Sequence, residues 1–281
     1  MLGHQMASLA DFRFTTKDDF AASSDGWLVP ASTSINSKTG DDVISGSSPN
    51  AIAGIDVSEN GSIFTKQGSD AVIGASTAGY GIANNGTIDT GAGDDDVRGE
   101  GRFGIFNGGL IITGVGNDSV TGVCGVGGLR EAIRNNGTID TGNGDDMITG
   151  VGSLINPSII NDGIIDTGEG ADTVDGFSGG FWGAGKVFLG KGADTLVGIC
   201  TLGTISFDGG KGLDRILLDR NRIYYIDNAQ NGALYIRDPQ VLSSEGTYIN
   251  FELVGGLGGS ELAPLRAGTL AFDASANPIY L

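Results

Sequence analysis

Apolar residues recur through the middle of this chain at fixed positions relative to glycine and aspartate. One apolar column holds Ile44, Val72, Val97, Val120, Ile148, Val174, Leu196 and Ile216. A second holds Ile35, Ile63, Ile88, Ile111, Ile139, Ile165, Val187 and Ile205, and a third holds Ile82, Ile105, Ile133 and Ile159. Within each repeat these residues lie in short segments in which apolar and polar positions alternate, which is the pattern of a β-strand with one buried face.

The repeat length decides between β architectures. Successive copies are 20 to 28 residues apart, and a self-similar period of this size is typical of a solenoid in which each repeat forms one coil. We therefore predict an all-β fold, a right-handed parallel β-helix or β-roll-like solenoid of about eight turns with terminal caps. The predicted divisions are an N-terminal cap at 1–30, the coils at 31–218 and a C-terminal cap at 219–281.

A glycine and an aspartate accompany the first apolar column in every copy. The motif is Gly-x-Asp-x-aliphatic, and its aspartates are Asp42, Asp70, Asp95, Asp118, Asp146, Asp172, Asp194 and Asp214. Because equivalent residues of neighbouring coils stack at about 4.8 Å, we expect these aspartates to form a ladder on the outside of the coil. If Ile205 holds the second column, the eighth copy needs two extra residues before its loop.

Charge limits the functions that such a chain can have. The 281 residues include 51 glycines and have a net charge of −18, which repels the phosphates of nucleic acids and anionic lipids. No stretch approaches the roughly 20 apolar residues of a membrane-spanning helix. The sequence therefore predicts no nucleic-acid partner and no membrane span, and it favours cations.

Stacked aspartates need a counter-charge. Two carboxylates about 5 Å apart repel by about 1 kcal/mol even in water, so either protons or a cation must offset the row. Calcium prefers six to eight oxygen ligands, whereas zinc prefers Cys or His and magnesium demands a stricter octahedron. The glycines allow sharp turns that aim carbonyl oxygens at one point. The alternative is that Gly-x-Asp makes Asx-type turns in a metal-free solenoid.

The loops resemble the calcium-binding nonapeptide of the repeats-in-toxin (hemolysin-type) family, Gly-Gly-x-Gly-x-Asp-x-aliphatic-x. The similar segments are TGAGDDDVR (90–98), TGVGNDSVT (113–121), TGNGDDMIT (141–149), TGEGADTVD (167–175), LGKGADTLV (189–197) and GGKGLDRIL (209–217); SKTGDDVIS (37–45) and TKQGSDAVI (65–73) are weaker and lack the second glycine. The resemblance implies calcium ligands from the eight aspartates and from the backbone of Gly91, Gly93, Gly114, Gly116, Gly142, Gly144, Gly168, Gly170, Gly190, Gly192, Gly210 and Gly212.

The chain departs from that family's regular nine-residue period, because it carries the motif once per coil. We therefore expect calcium along one edge only, with up to seven sites between eight loops. The resemblance further implies signal-less export to the outside of the cell. We predict an extracellular structural or adhesion module whose folding is driven by calcium, with a polysaccharide or a cell surface as a candidate partner. The terminal segment FDASANPIYL (272–281) resembles an uncleaved export signal.

Two enzyme alternatives stay open. The chain could be a calcium-dependent β-helix enzyme similar to a polysaccharide lyase, with a base among Arg98, Arg102, Arg130 and Arg134, or the repeat domain of a larger secreted or biosynthetic enzyme. No nucleophile elbow, phosphate-binding loop or metalloprotease motif is present in the sequence. We therefore predict a non-enzymatic module.

Three smaller features test the alignment. Asn84, Asn107, Asn135 and Asn161 share a column, and we expect an inward asparagine ladder that satisfies backbone groups at a bend. Cys124 and Cys200 both lie six residues after their loop aspartate, which predicts one column, three coils apart, and no disulfide. Asn231-Gly232 between two alternating segments predicts a hairpin in the C-terminal cap.

Overall fold

The computed structural model describes residues 6–125, 131–152, 156–176, 179–240 and 246–281 and shows an all-β parallel solenoid, as predicted. Equivalent residues stack in register from coil to coil. Val97, for example, pairs with Val72 on one side and with Val120 on the other. Each coil contributes strands to three stacks, here named faces 1, 2 and 3 in chain order within a coil.

Faces 1 and 2 belong to one sheet, because two long strands, Ala71–Asn84 and Asp96–Asn107, run continuously through both faces. The other strands of face 1 are Phe20–Ser23, Val43–Ser48, Ser119–Cys124, Met147–Val151, Thr173–Asp175, Thr195–Val197, Arg215–Leu218 and Leu253–Gly256. The other strands of face 2 are Ala7–Ser8, Trp27–Val29, Ala53–Val57, Ile133–Asn135, Ile159–Asn161, Phe181–Gly183 and Cys200–Gly203.

Face 3 is a separate stack of short strands. Its members are Ser34–Asn36, Ser62–Phe64, Thr87–Asp89, Leu110–Ile112, Thr138–Asp140, Ile164–Asp166, Lys186–Phe188, Ser206–Asp208 and Thr247–Ile249. The short strands Lys191–Gly192 and Lys211–Gly212 pair at the corner between faces 3 and 1. This corner carries the eight Gly-x-Asp segments, which we call the aspartate loops.

The predicted apolar columns form the core. Residues such as Val97, Ile105 and Ile111 are buried inside the coil with at most 1% of their surface exposed. One assignment is wrong: Val187 stacks on Phe207 and not on Ile205. With Phe207 in the column, the eighth copy needs no extra residues before its loop, because an aromatic residue takes the place of the aliphatic one.

The asparagine ladder is confirmed at the bend between faces 2 and 3. Asn84, Asn107, Asn135 and Asn161 are fully buried. Each Nδ2 of the first three donates to Oδ1 of the next asparagine, at 2.8, 2.9 and 2.8 Å, and also donates to a carbonyl oxygen of face 3. These side chains satisfy buried polar groups where the chain turns, which is a structural role.

Most of the variation in coil length lies between faces 1 and 2. In one coil the connection from the core position Val120 to the core position Ile133 is long. In another coil the connection from Leu196 to Cys200 is short. Cys200 therefore stacks on Phe181 in face 2, while Cys124 stacks on Gly101 in face 1. The predicted shared cysteine column is wrong for this reason, although both cysteines lie in described segments and no disulfide joins them.

The parallel stacking extends beyond the predicted limits of 31–218. Phe20–Ser23 and Trp27–Val29 already pair with the following coil, and Leu253–Gly256 adds a parallel strand after Arg215–Leu218. Between these last two strands lies the predicted hairpin, in which Tyr224–Asn228 pairs antiparallel with Leu234–Arg237.

The C-terminal end continues as antiparallel strands. Gly268–Phe272 pairs with Tyr224–Asn228 and with Pro278–Tyr280, and Ala263–Pro264 pairs with Leu253–Gly256. FDASANPIYL thus contributes to the last hairpin. Among the described residues the only helical segments are the 3-10 turns Leu9–Asp11 and Gln230–Gly232, and none has the length or hydropathy of a membrane span.

Candidate metal centre along the aspartate loops

Two positions of each aspartate loop have backbone angles that favour glycine. In the third loop these are Gly91 and Gly93, with φ of 99° and 136°. In the first two loops Lys38 and Lys66 stand at the position of Gly91, which is the second glycine of the nonapeptide motif and the first of the two loop glycines, and they adopt the same left-handed region, at φ of 81° and 82°. A non-glycine residue tolerates this region at an energetic cost, so all eight loops share one geometry despite the weaker motifs.

The glycines also permit close approach between coils. A Cβ on Gly142 would lie 2.0 Å from the carbonyl oxygen of Gly114 in the previous coil, and a Cβ on Gly144 would lie 1.7 Å from that of Gly116. Real Cβ contacts are never this short. The glycines are therefore required by the packing of the loops as well as by φ.

We expect Gly142→Ala to lower the free energy of unfolding by about 3 kcal/mol, because it combines strain at positive φ with overpacking against backbone. Gly258→Ala is the matched control, since Gly258 has a similar φ of 80° but nothing lies within 4 Å of the position that a Cβ would take. Its expected loss is about 1 kcal/mol. Urea unfolding of both variants in calcium measures the difference, and equal losses would contradict the packing of the loops.

The eight aspartates form the predicted ladder, but they do not lie on the outside. All are at most 2% exposed. In each step Oδ1 of one aspartate accepts the backbone N–H of the aspartate in the preceding coil, at 2.7–2.9 Å from Asp42 to Asp214. The side chains turn inward because the carboxylate replaces a backbone hydrogen bond that the sharp loop cannot make.

The second carboxylate oxygen of each aspartate has no such partner. Oδ2 is buried and accepts no hydrogen bond from any described residue in Asp42, Asp70, Asp95, Asp118, Asp146, Asp172, Asp194 and Asp214. An orphaned buried oxygen costs about 1–3 kcal/mol, and more when it is charged. Eight of them in one row are a systematic feature that calls for a ligand.

Carbonyl oxygens of the loops lie beside this row. Backbone N–H groups donate to the carbonyl of the first glycine, as Val115 does to Gly91, but no hydrogen bond of the described residues reaches the carbonyls of the second glycines Gly93, Gly116, Gly144 and Gly170. A Cβ on Gly192 would contact both the Gly170 carbonyl oxygen and Oδ1 of Asp194, at 1.5 and 3.0 Å. The missing side chain of the second glycine therefore lets a carbonyl oxygen of the preceding loop and the aspartate of its own loop approach the same point.

A second hydrogen-bonded row runs along the exposed side of the loops, one residue before each aspartate. We call it the outer row. Oδ1 of Asp94, Asn117 and Asp145 accepts the backbone N–H of the next coil, each at 2.8 Å. The inner row, which is the row of eight buried aspartates, accepts from the preceding coil and the outer row from the following coil, so the loops of Asp94, Asn117 and Asp145 are held from both sides.

Sequence reasoning missed the two ends of the inner row. Asp19 donates its N–H to Oδ1 of Asp42 at 2.8 Å, and Asp214 donates its N–H to Oε2 of Glu252 at 2.8 Å. Neither Asp19 nor Glu252 follows a Gly-x pattern. The sequence does carry a signal that could have located both ends. An apolar residue lies two positions after each of them, and these residues, Ala21 and Val254, are buried in the core.

Burial raises the pKa of every aspartate in the inner row, and for several of them the neighbouring carboxylates raise it further. Asp95 and Asp146 reach a pKa of about 7, and Asp172 and Asp194 reach about 6. For Asp146, hydrogen bonding by the backbone N–H of Asp118 in the preceding coil and by the side chain of Thr141 acts in the opposite direction. The charged form of the row is therefore destabilised unless a cation joins it.

The donor set fits a hard cation that accepts backbone ligands. In the described part of the chain, no three Asp, Glu, His or Cys side chains converge on one point. A cation between two loops would therefore be held by the two aspartates of that step, with loop carbonyls and water supplying the other oxygens. Calcium prefers carboxylate and carbonyl oxygen ligands in proteins. The orphaned Oδ2 atoms of the inner row are carboxylate oxygens of this kind.

The arginines of the enzyme alternative lie on the faces of the coil and not in the aspartate loops. Arg98 is on face 1, where Nη2 pairs with Oε2 of Glu100 at 3.3 Å. Arg134 is on face 2, where Nε pairs with Oε1 of Glu131 at 2.9 Å. Arg130 lies outside the described residues. Arg102 lies in the long strand Asp96–Asn107, which runs through faces 1 and 2.

Comparisons with known proteins do not assign the chain to a family. No protein-family model matches the chain, and no curated protein matches it. A search of solved structures finds similarity to a hyperactive, Ca2+-dependent, beta-helical antifreeze protein from an Antarctic bacterium, with a TM-score of 0.36 and 20% sequence identity. The match covers 76% of this chain and 72% of that chain.

Proposed function

We propose that the aspartate loops bind calcium ions between successive coils and that this binding completes the folding of the solenoid. The observation that carries the proposal is the row of eight buried Oδ2 atoms without hydrogen-bond partners among the described residues. Each calcium ion would lie between two adjacent carboxylates and give their orphaned oxygens a partner. At the C-terminal end of the row, the carboxylate of Glu252, which accepts the N–H of Asp214, would add a further oxygen ligand.

Metal binding has a direct energetic consequence for such a fold. Without a cation, carboxylate repulsion and the backbone entropy of 51 glycines oppose folding. One site at a hundred times its Kd stabilises the folded state by about 2.7 kcal/mol, and several sites share one row. Folding free energy and calcium-binding free energy are therefore coupled.

The setting that suits this chemistry is outside the cell, where calcium reaches millimolar concentrations. Extracellular calcium modules bind with Kd values of about 0.1–1 mM. In our proposal the folded chain is only marginally stable at low calcium and becomes a rigid coil after export, serving as a structural or adhesion module at a cell surface or polysaccharide. Membership of the repeats-in-toxin family is part of this proposal and is supported by the loop motifs.

Far-ultraviolet circular dichroism of chelator-stripped protein, titrated with calcium and separately with magnesium, tests the proposal. We expect a cooperative gain of β signal with calcium and little change with magnesium, because magnesium holds its waters and needs stricter geometry. A fully folded spectrum in chelator that calcium does not stabilise against urea would show that the aspartates only make turns.

A further inference from the structure

The aspartate loops are not chemically equivalent along the coil. The outer row has Asp94, Asn117 and Asp145 in the central loops, and the last hydrogen bond of this row goes from the N–H of Ala171 to Asp145. The following loops have Ala171, Ala193 and Leu213 at this position. The C-terminal loops therefore lack the outer-row carboxylates and amides of the central loops, and the other carboxylates near their last aspartate, Asp214, are those of Glu252 and Asp208.

Positive charge is present where the outer carboxylates end. The residue between the two loop glycines is Ala92, Val115 or Asn143 in the central loops. In the last two loops it is Lys191 and Lys211, which stack on each other in adjacent coils. Nζ of Lys191 also forms an ion pair with Glu169 of the preceding loop, so the one acidic residue at this position is neutralised.

A row of threonine hydroxyl groups also ends before the last two aspartate loops. Thr90, Thr113 and Thr141 are buried, and each hydroxyl donates to the carbonyl oxygen of the equivalent residue in the next coil. The row ends when Thr167 donates to the carbonyl of Leu189 at 2.9 Å. The last two loops have Leu189 and Gly209 here, so they contribute fewer polar groups beside the inner aspartates.

We infer that the calcium steps among Asp172, Asp194 and Asp214 bind more weakly than the central steps among Asp95, Asp118 and Asp146, and that Lys191 and Lys211 are the residues that set this difference. The inference rests on the proposed calcium binding. In a filled row, each interior aspartate is shared by two divalent ions, so the inner carboxylates alone undercompensate the cations. Outer carboxylates supply the remaining charge in the centre, whereas lysines oppose it at the C-terminal end.

This difference makes filling and ordering of the coil sequential. The central coils bind calcium and become ordered first, and the C-terminal coils follow at higher calcium concentration. The stability of a solenoid is a sum of terms within coils and between neighbouring coils. The calcium affinity of a loop is therefore reflected in how strongly its amide groups are protected from hydrogen exchange. The lysines thereby determine the calcium concentration at which the C-terminal cap is seated on an ordered coil.

Hydrogen exchange followed by mass spectrometry over a calcium titration tests the inference loop by loop. The amide N–H groups of the inner aspartates are buried in the ladder and report each step. We expect peptides covering 90–98 and 141–149 to gain protection at lower calcium than peptides covering 189–197 and 209–217. In Lys191→Gln/Lys211→Gln the C-terminal midpoint should fall by about two- to five-fold, as expected for exposed charges, with the central midpoint unchanged.

The matched control is Lys186→Gln/Arg220→Gln, which removes two positive charges from exposed positions outside the aspartate loops. It should leave both midpoints in place. One common midpoint in all loops, or an equal shift of all loops in the Lys191/Lys211 variant, would overturn the inference while leaving calcium binding intact. Absence of any calcium-dependent protection in the loops would overturn both the inference and the proposed function.

Discussion

Replacing Asp146 by Asn is expected to lower the free energy of unfolding by about 5 kcal/mol in saturating calcium and to leave it unchanged or higher in chelator. Asn keeps the Oδ1 acceptor for the N–H of Asp118 but removes the negative charge and the orphaned Oδ2. With calcium, two adjacent steps lose a charged ligand, each worth about 2.7 kcal/mol at a hundredfold excess over Kd. Without calcium, the substitution removes a buried unpaired charge.

Urea unfolding of wild type and Asp146→Asn, with calcium and with chelator, measures both effects. Asp162→Asn is the matched control, because Oδ1 of Asp162 also accepts a backbone N–H, from Ala184, but on an exposed bend away from the aspartate loops. It should lose little stability under either condition. A loss in Asp146→Asn that is equally large in chelator would mean that the carboxylate serves only the hydrogen-bond ladder.

In chelator, the free energy of unfolding should fall steadily as the pH rises from about 4.5 to about 7.5. Asp146 has a pKa of about 7 in the folded protein because of burial and the neighbouring carboxylates, against about 3.9 in an unfolded chain. A raised pKa means that the folded state binds more protons, so the stabilisation is complete below the unfolded pKa and is lost as pH rises through the folded pKa. Asp146 alone accounts for roughly 3 kcal/mol over this range, and Asp95 acts in the same direction.

Calcium should remove this pH dependence, since bound cations hold the carboxylates in the ionised form. Urea midpoints at several pH values, with chelator and with saturating calcium, measure it. The variant Asp146→Asn serves as the internal control, because it should have a shallower slope than wild type in chelator. If the free energy of unfolding of the variant in chelator has the same slope against pH as that of wild type, the pH dependence comes from the general surface charge of the chain and not from the inner row.

The inward-facing asparagines and the hairpin at Asn231-Gly232 could be predicted because each depends on local pattern and stacking. The exposure of the aspartate ladder was predicted wrongly. Sequence spacing shows that the aspartates stack, but it does not show that each carboxylate must replace a backbone hydrogen bond across a sharp loop. That requirement turns the side chains inward, and it leaves Oδ2 without a partner among the described residues.

The all-β solenoid, the single repeat per coil and the row of aspartates on one edge follow from the amino-acid sequence, because period and residue type recur in every copy. The folded coil was needed to show which residues share a column where connections change length, as for Cys200 with Phe181 and Phe207 with Val187. The fold also brings Asp19 and Glu252 to the ends of the row. Hydrogen bonding and packing between neighbouring coils decide which residues stack on each other. Counting residues from a motif gives the wrong partner wherever a coil has gained or lost residues.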